Sequence, residues 1–293
     1  MPGGHPREDR QDAHLPIQSS VAYGHVGNSA AVFPLQRLGH EVWPVFTVHF
    51  SNHTGYGAWR GRIFDGESVD EVVEGIAERD VLGRCDAVLS GYLGSSDVGH
   101  AVVGAVARVR EASPGAVYCC DPVIGDVGRG VFVRPGILEL LRDVAVPVAD
   151  VVTPNHFELD VLSGTTTRSL ASVKDAVAAV QALGPRTVLT TSLVTEDTPE
   201  DAVDLLASAE GRHFRVRTPR LGVSVNGAGD AIAALFLAHL LRTGSAAQAL
   251  SGAAASVYGL LARTEAAGSR EILLVEAQEE LVAPTRVFEV DEV

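Results

Sequence analysis

Short runs rich in β-branched and apolar residues alternate along the chain with apolar stripes at helical spacing. The runs cover residues 15–18, 41–49, 86–90, 116–120, 148–153 and 187–191, and their length and composition predict strands. Between them, Val69, Val72, Val73 and Ile76, then Val98, Ala101, Val102, Ala105, Val106 and Val109, then Leu170, Val173, Val177 and Val180 recur mostly at three- and four-residue steps. That period marks the buried face of a helix. Residues 201–207 and 212–218 predict a late hairpin around Glu210-Gly211, and two long helices follow over about 230–242 and 245–263. Such alternation predicts an α/β fold with a mostly parallel central sheet flanked by helices. Pro16 interrupts the first run, and its missing N–H predicts a strand that is at an edge, bulged there, or weakened in its pairing.

With 293 residues, 46% of them hydrophobic, the chain suits one domain with a sizeable core, and no repeat or linker divides it. Residues 1–13, polar with Pro, Gly and mixed charge, are expected to form a disordered extension, residues 14–284 the domain and 285–293 a C-terminal tail. No apolar run approaches the ~20 residues of a membrane span. A net charge of −14 argues against nucleic acid and anionic membrane as partners. Lys174 is the only lysine. A Walker-type phosphate loop and a pyridoxal-phosphate Schiff base are therefore excluded, Lys174 reading as a solvated helix residue. Bound phosphate must be held by backbone, metal or arginine. Cys85, Cys119 and Cys120 form neither a metal-site spacing nor an even disulfide set, and no secretory signal precedes them, so a reducing cytoplasm is expected.

The most informative stretch is residues 225–236, where Asn226-Gly227-Ala228-Gly229-Asp230 opens an apolar helix. Free N–H groups of Gly227, Ala228 and Gly229, with the positive end of the helix dipole, suit the oxygens of a transferring phosphoryl group. Asp230 beside them could take a proton from an attacking hydroxyl. Parallel sheets place ligands beyond the carboxyl ends of their strands, and the residues following the predicted strands are unusually polar.

Those residues carry a resemblance. Gln18-Ser19-Ser20-Val21, Tyr23-Gly24-His25-Val26-Gly27-Asn28, Phe50-Ser51-Asn52-His53-Thr54-Gly55-Tyr56, Ser90-Gly91-Tyr92-Leu93-Gly94, Cys120-Asp121-Pro122-Val123-Ile124-Gly125, Thr153-Pro154-Asn155 with Glu158, and Gly227-Ala228-Gly229-Asp230 resemble pyridoxal kinases of the ribokinase-like superfamily in order and spacing, over roughly residues 15–284. The glycine turn and the Pro-Asn-x-x-Glu segment mark the superfamily, whereas the Gln-Ser and Phe-Ser-Asn-His-Thr segments are specific to pyridoxal kinases. The resemblance implies a single-domain three-layer ribokinase-like sandwich and ATP-dependent phosphorylation of the 5′-hydroxyl of pyridoxal in vitamin B6 salvage. It also implies Mg²⁺ as divalent metal, leaves a monovalent cation open, and suggests a homodimer formed through residues 41–62.

Residue by residue, the resemblance makes Asp230 the base and Gly227, Ala228 and Gly229 the anion-binding turn. Asp121 and Glu158 would hold the metal through water. Thr153, Asn155, Thr190 and Thr191 lie near the nucleotide with Asp121 and Glu158, and Asp126 belongs to a glycine-rich lid over residues 125–130. Ser19 and Thr54 would bond the polar edges of the pyridine ring and Val48 and Tyr92 would pack on it. Trp59 and Tyr23 read equally as aromatic walls and as ordinary packing. Cys120 is expected to contact substrate and could add to the aldehyde, although a neighbouring acid and burial both oppose thiolate formation. Leu221, Val223 and Val257 are expected around the adenine. Two other readings stay open: a hydroxymethylpyrimidine or sugar kinase sharing the phosphate machinery, and a pyridoxal carrier with vestigial activity.

Overall fold

The computed structural model describes residues 12–293. Its strands are β1 (Ala13–Val21), β2 (Glu41–Val42), β3 (Val45–Phe50), β4 (Gly61–Ile63), β5 (Cys85–Ser90), β6 (Val117–Cys120), β7 (Gly125–Asp126), β8 (Gly130–Val131), β9 (Val151–Val152), β10 (Thr187–Leu193), β11 (Ala202–Ala209), β12 (Arg212–Pro219) and β13 (Val290–Glu292). The longer helices are α1 (Asn28–Arg37), α2 (Gly66–Ala77) and α3 (Ser96–Ala112). After two short turns, α4 (Ile137–Leu140) and α5 (Val146–Val148), come α6 (His156–Ser163), α7 (Leu170–Gln181), α8 (Ala228–Thr243), α9 (Ala246–Ala266) and the short α10 (Glu279–Val282).

The central strands lie in the order β10-β9-β6-β5-β1-β3 and run parallel. Antiparallel strands extend both edges, β4 beyond β3 and β11, β12 and β13 beyond β10. Side-chain alternation divides the core. Val88, Tyr118, Cys120, Val152 and Val188 face one way, toward Val69, Val98, Leu159 and Val173 of α2, α3, α6 and α7. Ala87, Leu89, Cys119, Val151 and Leu189 face the other way, toward Leu35, Phe236 and Leu250 of α1, α8 and α9. Both faces are covered, which is why the strands read as nearly unbroken apolar runs. The layers are those of the expected three-layer sandwich.

Chain order reverses beside β1, which pairs with β3 on one side and β5 on the other. The crevice beyond their carboxyl ends is where an open parallel sheet receives ligands.

Four expectations need correction. β1 is central and buried along its whole length, so of the alternatives for Pro16 the edge fails and the weakened pairing holds. Pro16 is accommodated because the neighbouring ladder is interrupted opposite it, β2 ending at Val42 and β3 starting at Val45 across Trp43-Pro44. The predicted 41–49 strand is split there for the same reason. Ala13, placed in the extension, opens β1 and donates its N–H to Asp86 Oδ2 at 3.0 Å; residues 1–11 of that extension lie outside the described residues. Residues 285–293, expected as a tail, end in β13, which pairs with β12 and closes that edge of the sheet. The hairpin turn falls where it was read, with Glu210 at φ 54° and Gly211 at φ 73°, the two positive values a tight two-residue connection requires.

Candidate active site

Gly227 caps α8 in the left-handed region, at φ 90°. A Cβ there would sit 1.9 Å from the His25 carbonyl oxygen, so only glycine fits. Gly27 is equally constrained: at φ 54°, a Cβ would fall 2.2 Å from the Ser19 carbonyl oxygen. Residues 25–27 thus pass tightly between the end of β1 and the start of α8. The Gly27 N–H donates to the Asp230 carboxylate, and burial pushes that carboxyl up to about 6 despite the bond.

Two further acids stand beyond β6 and β9. Thr153 Oγ1 donates to Asp121 Oδ1 at 2.9 Å. Burial, with Glu158 and Asp230 nearby, holds the Asp121 carboxyl well above the usual carboxylate range. Glu158 sits in the first turn of α6, where Asn155 caps the helix and the two residues form a capping box. Glu158 Oε1 accepts from the N–H groups of Ile124 and Gly125 at 2.9 and 3.3 Å, and Oε2 from that of Asn155 at 2.9 Å. Burial nevertheless raises it to about 7. A buried set of oxygen donors whose ionised forms repel one another fits a hard divalent cation. Because backbone N–H groups already occupy both Glu158 oxygens, the fit is to a hydrated ion. Among the described residues no group of three or more His, Cys, Asp or Glu forms a direct cage.

β7 and β8 form a small hairpin over these acids, with Gly128 at φ 79° and Gly130 at φ 68° at its tip. Val127 and Phe132 are exposed on it, and the Arg129 guanidinium lies 5.0 Å from the Phe132 ring centroid. The hairpin contributes Gly125, Asp126 and Arg129 to the cavity described below.

One cavity of about 410 Å³ joins these parts. Its lining includes Gly227, Gly229, Asp230, Asp121, Thr153, Asn155 and Glu158, then Thr191, Asp126 and Arg129, and also Ser19, Val48, Thr54 and Tyr92. Arg129 is the single lysine or arginine on its wall. Thr54 starts a one-turn 3₁₀ segment, and Thr47 Oγ1 donates to the Tyr92 carbonyl at 2.7 Å, fixing the backbone beneath that ring. A second groove of about 250 Å³ shares Thr191 and Gly229 with the first and is lined by Ala228, Leu221, Val223 and Val257.

Other expected site residues fall elsewhere. Cys120 is fully buried in the core, off the cavity wall, and burial pushes its thiol up to about 12, so an approach to substrate is closed. Thr190 points into the core with an unpartnered hydroxyl, because strand alternation sends it away from the cavity. Its neighbour Thr191 reaches the wall where the β10–β11 ladder shifts and Ser192 adopts φ 54°. Neither Tyr23 nor Trp59 lines the cavity; Trp59 stacks behind Phe50, which does, at 4.0 Å between ring centroids. Phe50, Val123, Asn226 and Arg129, which lie in segments read from the sequence without an assigned role, join the wall, as does Phe132, which lies in none of them. So, indirectly, does Glu271, which accepts hydrogen bonds from the loop carrying Thr54.

The comparisons with known proteins agree with this geometry. A family model described as phosphomethylpyrimidine kinase matches residues 64–274. The chain is 59% identical over 281 residues to the pyridoxal kinase PdxY of Granulibacter bethesdensis, covering 94% of this chain and 97% of that one. It is 58% identical over 277 residues to the PdxY of Rubrobacter xylanophilus, covering 94% and 96%. This chain belongs to the pyridoxal kinase family. Among solved structures, the Leishmania donovani pyridoxal kinase in complex with ADP and pyridoxamine superposes with a TM-score of 0.90 at 32% identity, covering 97% of this chain and 100% of that one. Among the described residues, no helix of this family member is long and apolar enough to cross a membrane.

Proposed function

We propose that the chain transfers the γ-phosphoryl group of ATP to the 5′-hydroxyl of pyridoxal. One observation carries the reading: a single cavity has a glycine turn and a raised carboxyl at one end, and hydroxyls with an aromatic wall matched to a pyridine ring at the other. Asp230, oriented by the Gly27 N–H, takes the hydroxyl proton as the bond to phosphorus forms. The N–H groups at the start of α8 stabilise the oxygens of the transferring group, and Arg129 adds a positive charge from the lid. Asp121 and Glu158 hold Mg²⁺ through water, and the ion, when bound, neutralises phosphate charge. Ser19 and Thr54 pair with the polar edges of the ring while Val48 and Tyr92 pack its faces. ATP extends from the floor, past Thr191, into the groove lined by Leu221, Val223 and Val257. The protein works in the cytoplasm as a homodimer through the region of β3 and β4, where Phe46 and Trp59 are exposed.

The test is a coupled ATP and Mg²⁺ assay with pyridoxal, pyridoxine, pyridoxamine and hydroxymethylpyrimidine, alongside Asp230→Asn. Pyridoxal turnover lost in the variant supports the reading. Turnover of hydroxymethylpyrimidine alone would support the second reading, which the description of the family model favours. The carrier reading loses its support with the burial of Cys120.

A further inference from the structure

Glu271 lies outside every motif that suggests chemistry, and it is not on the cavity wall. Its side chain is 13% exposed, and its carboxylate gathers two separate loops. Tyr56 O–H donates to Oε1 at 2.6 Å, His53 Nε2 lies 3.0 Å from the same oxygen, and the His25 N–H donates to Oε2 at 3.2 Å. These partners are 215, 218 and 246 residues away in sequence. The hydrogen bond to Glu271 is the largest of the effects that raise the Tyr56 hydroxyl to about 12, which keeps it a donor at any working pH. From the other side, the Arg270 guanidinium lies 5.0 Å from the Tyr56 ring centroid. Gly24 completes the contact: at φ 86°, a Cβ there would fall 2.3 Å from Glu271 Oε2.

The connection continues toward the chemistry. His53 Nδ1 lies 3.4 Å from Asn226 Nδ2. In the tautomer that gives Nε2–H to the carboxylate, Nδ1 is an acceptor for the Asn226 amide, so one arrangement satisfies both contacts. Asn226 immediately precedes Gly227, and Thr54 immediately follows His53. We propose that Glu271 is a positioning residue: through His53 and Tyr56 it sets the place of Thr54 at the vitamin end, and through His53 and Asn226 it keeps that loop in register with the phosphate-binding turn. This role rests on the pyridoxal kinase reading above.

The full-length chain tests it. Glu271→Ala raises KM for pyridoxal about tenfold and leaves KM for ATP within about twofold, and Glu271→Gln, which keeps an acceptor at Oε1, restores most of the loss. The double variant with His53→Asn is hardly worse than Glu271→Ala alone, because both remove one linkage. An unchanged pyridoxal KM, an equal rise in both KM values, or additive losses would overturn the proposal. If the wild-type chain does not turn over pyridoxal, the functional reading fails separately, and hydrogen exchange at residues 53–57 still decides the role. Protection lost in Glu271→Ala supports it; unchanged protection overturns it.

Discussion

At the phosphate end of the cavity, Glu158 is fixed by its own helix cap and by two N–H groups of the lid base, and Asp121 by a hydroxyl one strand away. At the proposed vitamin end, the loop carrying Thr54 is exposed; besides its own local hydrogen bonds it is tied down by Glu271, more than two hundred residues downstream. Both ends depend on long-range contacts, Gly27 reaching Asp230 at one and Tyr56 reaching Glu271 at the other, but the first holds Glu158 and Asp230 by backbone N–H groups and the second ties its loop through side chains. The phosphate end is therefore expected to be rigid and intolerant of change, whereas substitutions at the vitamin end should alter affinity and leave the chemistry largely intact.

Asp230→Asn should have the largest effect, lowering kcat by about 10²–10⁴-fold as general bases do, with little change in pyridoxal KM. The same group should contribute to the acid limb, together with Glu158, which burial raises to about 7. With its carboxyl raised to about 6, Asp230 is ionised above that pH and protonated below it, so kcat/KM falls as pH drops through about 6. A pH–rate profile flat to pH 4 would remove Asp230 from the role of base. Gly227→Ala follows: a positive φ and a methyl driven onto the His25 carbonyl displace the turn, and misplacement on the order of 1 Å costs about 10²-fold in turnover. If that variant retains full turnover, the phosphate end is not rigid and the contrast collapses.

Thr54→Val should raise pyridoxal KM about tenfold, the cost of leaving a polar edge unpaired, with kcat within a few-fold. A drop in kcat alone would show that the two ends do not divide affinity and chemistry as argued. The smallest effect is on stability, remote from both ends. Burial lowers His14 to about 3 and His239 to about 4, so both remain neutral in the fold and protonation favours the unfolded chain. Their contribution is intact above about pH 6.5 and is lost progressively below it, as a series of melting temperatures from pH 8 to pH 4 can measure.

A division between local and long-range pattern decided what could be read from the sequence. The glycine turn, the Pro-Asn-x-x-Glu segment and the strand-helix alternation are local patterns; the turn opens α8, and Asn155 and Glu158 open α6, where they also form a capping box. Pairing partners are not local, so the central position of β1 and the late addition of β13 were not legible. Thr190 and Thr191 show the limit at single-residue scale: both follow one apolar run, and only the bulge at Ser192 determines which reaches the cavity. Cys120 shows the same limit, since a place at a strand end does not reveal which face of the sheet a thiol occupies. Glu271 sits in a stretch with no motif, and nothing before folding connects it to Tyr56.

The charge on the cavity wall also acts before any chemistry. Asp121, Asp126, Glu158 and Asp230 face the single guanidinium of Arg129. In their ionised forms these carboxylates repel a bare triphosphate more than one that arrives with a cation of its own, which lowers its charge. The wall is therefore expected to favour accompanied nucleotide before the fit of adenine or vitamin is tried.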